Sequence, residues 1–128
     1  MKRLTREWVE QAEGDFATAC RERRARKVPN YDAACFHAQQ CVEKYLKALL
    51  QEEGIGSERT HNLGVLLDAV LSVEPIWESF RTSLNVLNAY AVASRYPGAS
   101  ADKETAADAL RICREIRNEV RRSLCPPE

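Results

Sequence analysis

The stretch from Asn30 to Gln51, NYDAACFHAQQCVEKYLKALLQ, constrains what this chain can fold into more than any other. Ala34, Ala38, Cys41, Val42, Tyr45, Leu46 and Leu49 recur at spacings of three and four, which collects them on one face of a helix. That face is expected to be core. On a wheel of about 100° per residue, Gln40, Glu43 and Lys47 form a second stripe, with Phe36 at its upper end and His37 and Lys44 along its border. One reading makes the stripe a solvated face, with Glu43 and Lys47 an ordinary i,i+4 pair worth a few tenths of a kcal/mol. Phe36, a large aromatic in line with those polar groups, points instead to a half-buried surface such as a dimer interface or a cleft.

The rest of the chain supplies further helices of the same kind. From about Thr5 to Arg24, Leu4, Trp8, Ala12, Phe16, Ala19 and Cys20 keep helical spacing, and Thr5 is a candidate N-cap. The run Arg21 to Lys27, RERRARK, is densely basic. It answers the negative end of a helix macrodipole, or else contacts phosphate or RNA. Pro29 and Asn30 then break the chain and cap the next helix, so the first two helices should form an antiparallel hairpin. The second helix is expected to run to about Glu53 and to end at Gly54 and Gly56. Leu63, Leu66, Leu67, Val70 and Leu71 mark a short third helix, capped by Thr60 or Asn62, with His61 at its N-terminus as a capping or loop-anchoring group or as a functional one.

Pro75 suits the first turn of a fourth helix whose stripe is Trp77, Phe80, Leu84, Leu87 and Ala91. Arg95-Tyr96-Pro97-Gly98 stops it, because proline restricts Tyr96 to extended backbone and glycine turns the chain. Arg95 and Tyr96 therefore sit on a stiff corner. Arg95 either binds a carboxylate or phosphate bidentately or fastens two helices by pairing with a core-edge carboxylate such as Glu43. Ser100 is the expected cap of a fifth helix, whose inner face is Ala106, Ala109, Cys113, Ile116, Val120 and Leu124 and whose outer face mixes five arginines with Glu115 and Glu119; Pro126-Pro127 ends it. The expected architecture is an all-α, up-and-down bundle of about five helices, four long or medium and one short, in a single domain spanning residues 1–128.

Composition narrows the function. Nineteen basic and nineteen acidic residues cancel, so no overall field draws the protein to nucleic acid or to an anionic membrane, and any such binding must be local. No apolar run approaches a membrane span and MKRLTREW is no secretory signal, which leaves the cytoplasm as the default location. Five cysteines occur at spacings that match no zinc pattern, and they are read as reduced, with Cys41 and Cys113 in the core and Cys125 exposed. Two histidines, His37 and His61, do not make a His-rich metal site, and no glycine-rich phosphate loop, HExxH, nucleophile elbow or EF-hand loop is present. Neither a metal nor a cofactor is expected.

The ordered set FHAQQCVEKYLKALL (Phe36 to Leu50), then Thr60-His61-Asn62-Leu63, then Arg95-Tyr96-Pro97, resembles the HEPN domain, the "higher eukaryotes and prokaryotes nucleotide-binding" family, over essentially the whole chain. The resemblance implies a small helical bundle, usually homodimeric and often made beside a minimal nucleotidyltransferase in a two-gene toxin-antitoxin type unit. Many such proteins are metal-independent ribonucleases whose site is an Arg followed, four to six residues on, by a His near the last helix. This chain departs from that pattern: no His follows any arginine of its last helix, Arg59 lies two residues before His61, and Arg26 lies well beyond six residues from His37.

Metal-free RNA cleavage needs proton transfer as well as charge stabilisation, and arginine supplies only the second. The catalytic residues therefore stay unassigned. The leading reading is a nucleotide- or partner-binding homodimeric module in which Lys44, Lys47 and Arg95 face phosphate, Gln40 and His61 hydrogen-bond sugar or base, and Tyr96 stacks, with Glu43 part of the set. Two alternatives are a ribonuclease toxin acting through His61 or His37 with Arg95 across a dimer cleft, and a purely structural network of Gln40, Glu43, Lys47, His61 and Arg95 whose function lies in assembly.

Overall fold

The computed structural model describes residues 1–56 and 59–125. Its helices are α1 (Arg3–Arg24), α2 (Tyr31–Glu52), α3 (Leu63–Val70), α4 (Arg81–Ala93) and α5 (Lys103–Leu124), with a 3-10 helix, Pro75–Phe80, leading into α4. The described residues contain no strand, and the chain is an all-α helical bundle. The expected stop at Pro126-Pro127 lies outside the described residues.

Helix α2 is the axis: it packs against α1, α3, α4 and α5. Every member of its apolar face, from Ala34 to Leu49, is 2% exposed or less. Asn30 caps it by accepting from the Ala33 N–H at 2.9 Å. At its far end Ile55 N–H donates to Leu50 C=O and Gly54 N–H to Gln51 C=O, with Gly54 at φ 71, the paired closure that a glycine permits without a Cβ penalty. Polar ties fix direction. Thr5 meets Glu52, Glu13 meets Tyr45 and Asp15 meets His37, so α1 runs antiparallel to α2 as the short connection requires. Ala101 N–H donates to Asp32 at the start of α2 and Arg121 reaches Tyr45 further along, so α5 runs parallel to α2.

Local chemistry moved three boundaries. Thr5 is not the N-cap of α1: it is fully buried inside the helix, and its hydroxyl donates to Glu52 at 3.0 Å. The cap position is Lys2, whose side chain does not cap the helix but donates to the Gln51 carbonyl at 3.3 Å, and Leu4 is 44% exposed rather than part of the inner stripe. Ser100 does not cap α5; Asp102 does, accepting from Thr105 N–H at 2.7 Å, because a carboxylate two residues nearer the first turn is the better partner for its free N–H groups. Trp77 is buried on the 3-10 helix, so the fourth stripe is continuous through a change of helix type. Cys41 and Cys113 are fully buried, Cys125 is exposed, and burial pushes the Cys35 thiol up to about 11. Among the described residues no helix is long and apolar enough to cross a membrane.

Between α1, α2 and α5, Glu13 accepts two bonds from Arg117, at 2.7 and 2.6 Å, and one from Tyr45 at 2.7 Å. The Arg117 guanidinium, itself 4.5 Å from the Phe16 ring centroid, is the chief reason the Glu13 carboxyl titrates below its ordinary value. A carboxyl depressed in the folded state contributes fully above its unfolded pKa, and the contribution fades as pH falls through the folded one. Glu13→Gln is expected to cost about 1–2 kcal/mol at neutral pH, allowing for partial screening. The cost should vanish in strong acid, where the native side chain is itself protonated; urea midpoints at both pH values check this.

Candidate functional site

Helix α2 presents its polar stripe to two different neighbours. Glu43 is 2% exposed and Lys47 7%, so the stripe is no solvated face. Lys47 Nζ donates to Glu43 Oε2 at 3.2 Å and lies 5.5 Å from the Trp8 ring centroid on α1. On the other side His61 Nδ1 lies 3.0 and 3.1 Å from the two Glu43 oxygens. The His61 side chain is nevertheless 76% exposed, against 3% for Glu43. A buried carboxylate thus grips an exposed ring by one nitrogen. In the neutral ring this bond places the proton on Nδ1 and leaves Nε2 as an acceptor.

The backbone around His61 is fixed as well. Gln39 Nε2 donates to the His61 carbonyl at 3.0 Å, and Gln40 supports it by donating to Gln39 Oε1 at 2.8 Å. Asn62 caps α3 through Gly64 N–H at 2.8 Å, and Asn88 on α4 donates to the same oxygen at 3.3 Å. The result is an open groove of about 580 Å³ whose polar lining is Gln39, His61, Asn62, Asn88 and Arg95, with alanines and Val92 of α4 between them.

Arg95 does not pair with Glu43, whose oxygens are already taken by Lys47 and His61. Its guanidinium lies 5.3 Å from the Phe36 ring centroid and, among the described residues, makes no ion pair or hydrogen bond. A stacked cation without a counter-ion faces the same groove as His61. Tyr96 is 64% exposed on the following turn and does not line the groove. There Gly98, at φ 87, lets Ala99 N–H close back on the Tyr96 carbonyl, which holds the corner stiff.

Lys44 faces elsewhere. Its Nζ donates to Asp15 at 2.6 Å, and His37 Nδ1 donates to the same carboxylate at 2.8 Å. The expected groups therefore divide: Glu43, Lys47 and His61 meet directly, Gln40 acts through Gln39, Arg95 joins His61 across the groove, and Lys44 belongs to the α1 side. Sequence reasoning missed Gln39 and Asn88. Gln39 was hidden by its own polarity beside a core stripe, and Asn88 carries no local signal. Among the described residues no cluster of His, Cys, Asp and Glu could hold a metal ion.

The HEPN domain model matches residues 5–123, nearly the whole chain. The protein belongs to the HEPN family. Its fold is shared by ST0689, an archaeal HEPN homologue, at 30% identity over 97% of this chain and 99% of that one, with a TM-score of 0.75. TT1696 from Thermus thermophilus is similar at 26% identity over 93% of this chain and 97% of that one, also at a TM-score of 0.75. No curated protein is significantly similar. Within this HEPN domain, Glu43→Ala strands the buried Lys47 charge and is expected to cost about 3 kcal/mol or more. His61→Ala, at an exposed ring, should cost under about 0.5 kcal/mol. Paired denaturant titrations check the contrast.

Proposed function

We propose that this HEPN protein is a nucleotide-binding module whose ligand lies in the groove between the His61-Asn62 turn and α4. The observation that carries the reading is the Glu43–His61 contact. An exposed imidazole held at one nitrogen by a buried carboxylate is oriented before any ligand arrives, so binding loses little rotational freedom at that side chain. In this reading Arg95 takes phosphate, His61 Nε2 accepts from a sugar hydroxyl or a base N–H, and the Asn88 amide reads the base edge. Tyr96 stacks from the rim. Lys47 and Lys44, each bound to a carboxylate of its own, serve as supports for α2 and not as phosphate ligands. Gln40 likewise supports Gln39.

The wider reading is a homodimer working beside a minimal nucleotidyltransferase in a toxin-antitoxin type pair, which rests on family membership. The test is a thermal-shift titration of nucleotide-free protein with ATP, GTP, AMP and a short RNA. A ligand at about one hundred times its dissociation constant adds roughly 2.7 kcal/mol, several degrees in midpoint for a domain of this size. The shift should be lost in His61→Ala and Arg95→Ala, which keep the fold. No shift with any ligand sinks the reading.

One observation favours a second reading, RNA cleavage from an unusual site. A carboxylate behind an imidazole, with a free guanidinium in the same groove, supplies a proton-transfer group and a charge stabiliser without metal. Incubation with RNA in chelator should then give cleavage that His61→Ala abolishes. A clean preparation that leaves RNA intact removes it.

A further inference from the structure

The corner where α1 ends, α2 begins and α5 begins gathers positive charge. Arg23, Arg24, Arg26 and Lys103, together with Tyr31, line a recess of about 640 Å³, and no carboxylate lines it among the described residues. Arg21 and Lys27 stand nearby in sequence. None of these six cations forms an ion pair within the described residues, as is also true of Arg3, Arg6, Arg95 and Arg114; the ion-paired arginines, Arg81, Arg111, Arg117, Arg121 and Arg122, do not line this recess. The Nε of Arg23 is buried and, among the described residues, has no hydrogen-bond partner.

The α1 macrodipole accounts for part of the cluster. Arg21, Arg23 and Arg24 occupy its last turn, where cations are favoured, and Arg24 donates to the Cys20 carbonyl at 3.3 Å. Arg26 and Lys27 lie past that helix. Lys103 is the first residue of α5, where the helix dipole repels a cation. Asp102 beside it is committed to the Thr105 N–H. Val28, in the same connection, holds φ 49, a left-handed conformation that a β-branched residue adopts only under constraint. Charges converging at local electrostatic cost, with one guanidinium nitrogen buried and unmatched, call for an anion from outside the chain.

We propose that this corner is a second binding site, separate from the His61 groove, for a run of adjacent phosphates. Several guanidinium forks and an ammonium spread round one recess match successive phosphate oxygens better than a single small anion. The two sites share no lining residue. Two sources carry this chemistry: a free polyphosphate chain, including the tail of a nucleoside triphosphate, and the backbone of single-stranded RNA.

The experiment is calorimetric titration of the full chain at low salt with inorganic tripolyphosphate, with a twelve-nucleotide oligouridylate, and with inorganic phosphate. Tripolyphosphate should bind one per chain, and more tightly than inorganic phosphate. Lys103→Glu should weaken it about tenfold, the loss of one good charge-assisted contact, while raising the thermal midpoint, since an acid suits a helix start. The Arg23→Gln, Arg26→Gln, Lys103→Gln triple variant should lose binding with its helical circular dichroism intact. Arg95→Ala should leave the tripolyphosphate isotherm at the corner in place, so failure here and failure of the groove are read separately. If oligouridylate binds more tightly, is displaced by tripolyphosphate, and loses about 2 from its log–log salt slope in the triple variant, RNA backbone is the source. If oligouridylate is the weaker, the source is a free polyphosphate chain. No binding by the native chain, equal binding by the triple variant, or inorganic phosphate binding as tightly as tripolyphosphate overturns the proposal.

Discussion

The buried carboxylate of Glu43 meets groups from two different parts of the molecule. A charge taken out of water is costly unless paired and hydrogen-bonded, and here both oxygens are used. One partner, Lys47, lies under Trp8 and so depends on α1 being packed against α2. The other, His61, belongs to the turn that starts α3. The orientation of the His61 ring is therefore coupled to the α1–α2 hairpin through Glu43, while Gln39 holds the backbone of the same turn. Remove the carboxylate and the exposed ring loses its orientation at the same moment as the buried ammonium loses its counter-ion.

This arrangement reconciles two descriptions of the polar stripe that looked like alternatives. Glu43, Lys47, Gln39 and Gln40 form a structural network, buried or half-buried and internally satisfied. It leaves the far nitrogen of His61 at the surface, and lining the same groove is a second group without a counter-ion among the described residues, the guanidinium of Arg95. The latter rests on Phe36, the aromatic whose place in line with polar residues first marked the stripe as half-buried. Asn62 ties the same turn to α4 through Asn88, so the groove is walled by elements that share hydrogen bonds rather than by loops free to drift.

Much of the bundle was legible because helical periodicity and capping chemistry are local. The apolar face of α2 was read from residue spacing alone, and Asn30, Asn62 and Gly54 end or begin helices where their side chains or backbone freedom suggest. Membership of the HEPN family was legible from the order of Phe36–Leu50, Thr60–Leu63 and Arg95–Pro97. Ser100 lost the α5 cap to Asp102, a rival two residues away, and the other errors fall where the packed fold decides which partner a side chain meets. Thr5 looks like a cap, but it is buried inside the helix and its hydroxyl donates to Glu52, forty-seven residues away. Arg95 looks like a partner for Glu43, but Lys47 and His61 reach that carboxylate first, and Phe36 offers the guanidinium a face. Lys44 and Lys47 read alike in sequence, yet an angular offset of about 60° around the helix separates a contact with Asp15 from one with Glu43. Asn88 had no local signal, since only the fold brings α4 beside the turn before α3.

The most direct test of the central claim, that Glu43 orients His61 for the groove, is the ring tautomer itself. Two-bond proton–nitrogen correlation spectra of the histidine side chains, recorded at alkaline pH where imidazole is neutral, distinguish a proton on Nδ1 from one on Nε2. His61 should be held in the Nδ1–H form in the native chain, and Glu43→Gln should shift it toward the mixture of a free ring. A His61 signal that already averages between tautomers in the native chain, unchanged by Glu43→Gln, would contradict that claim.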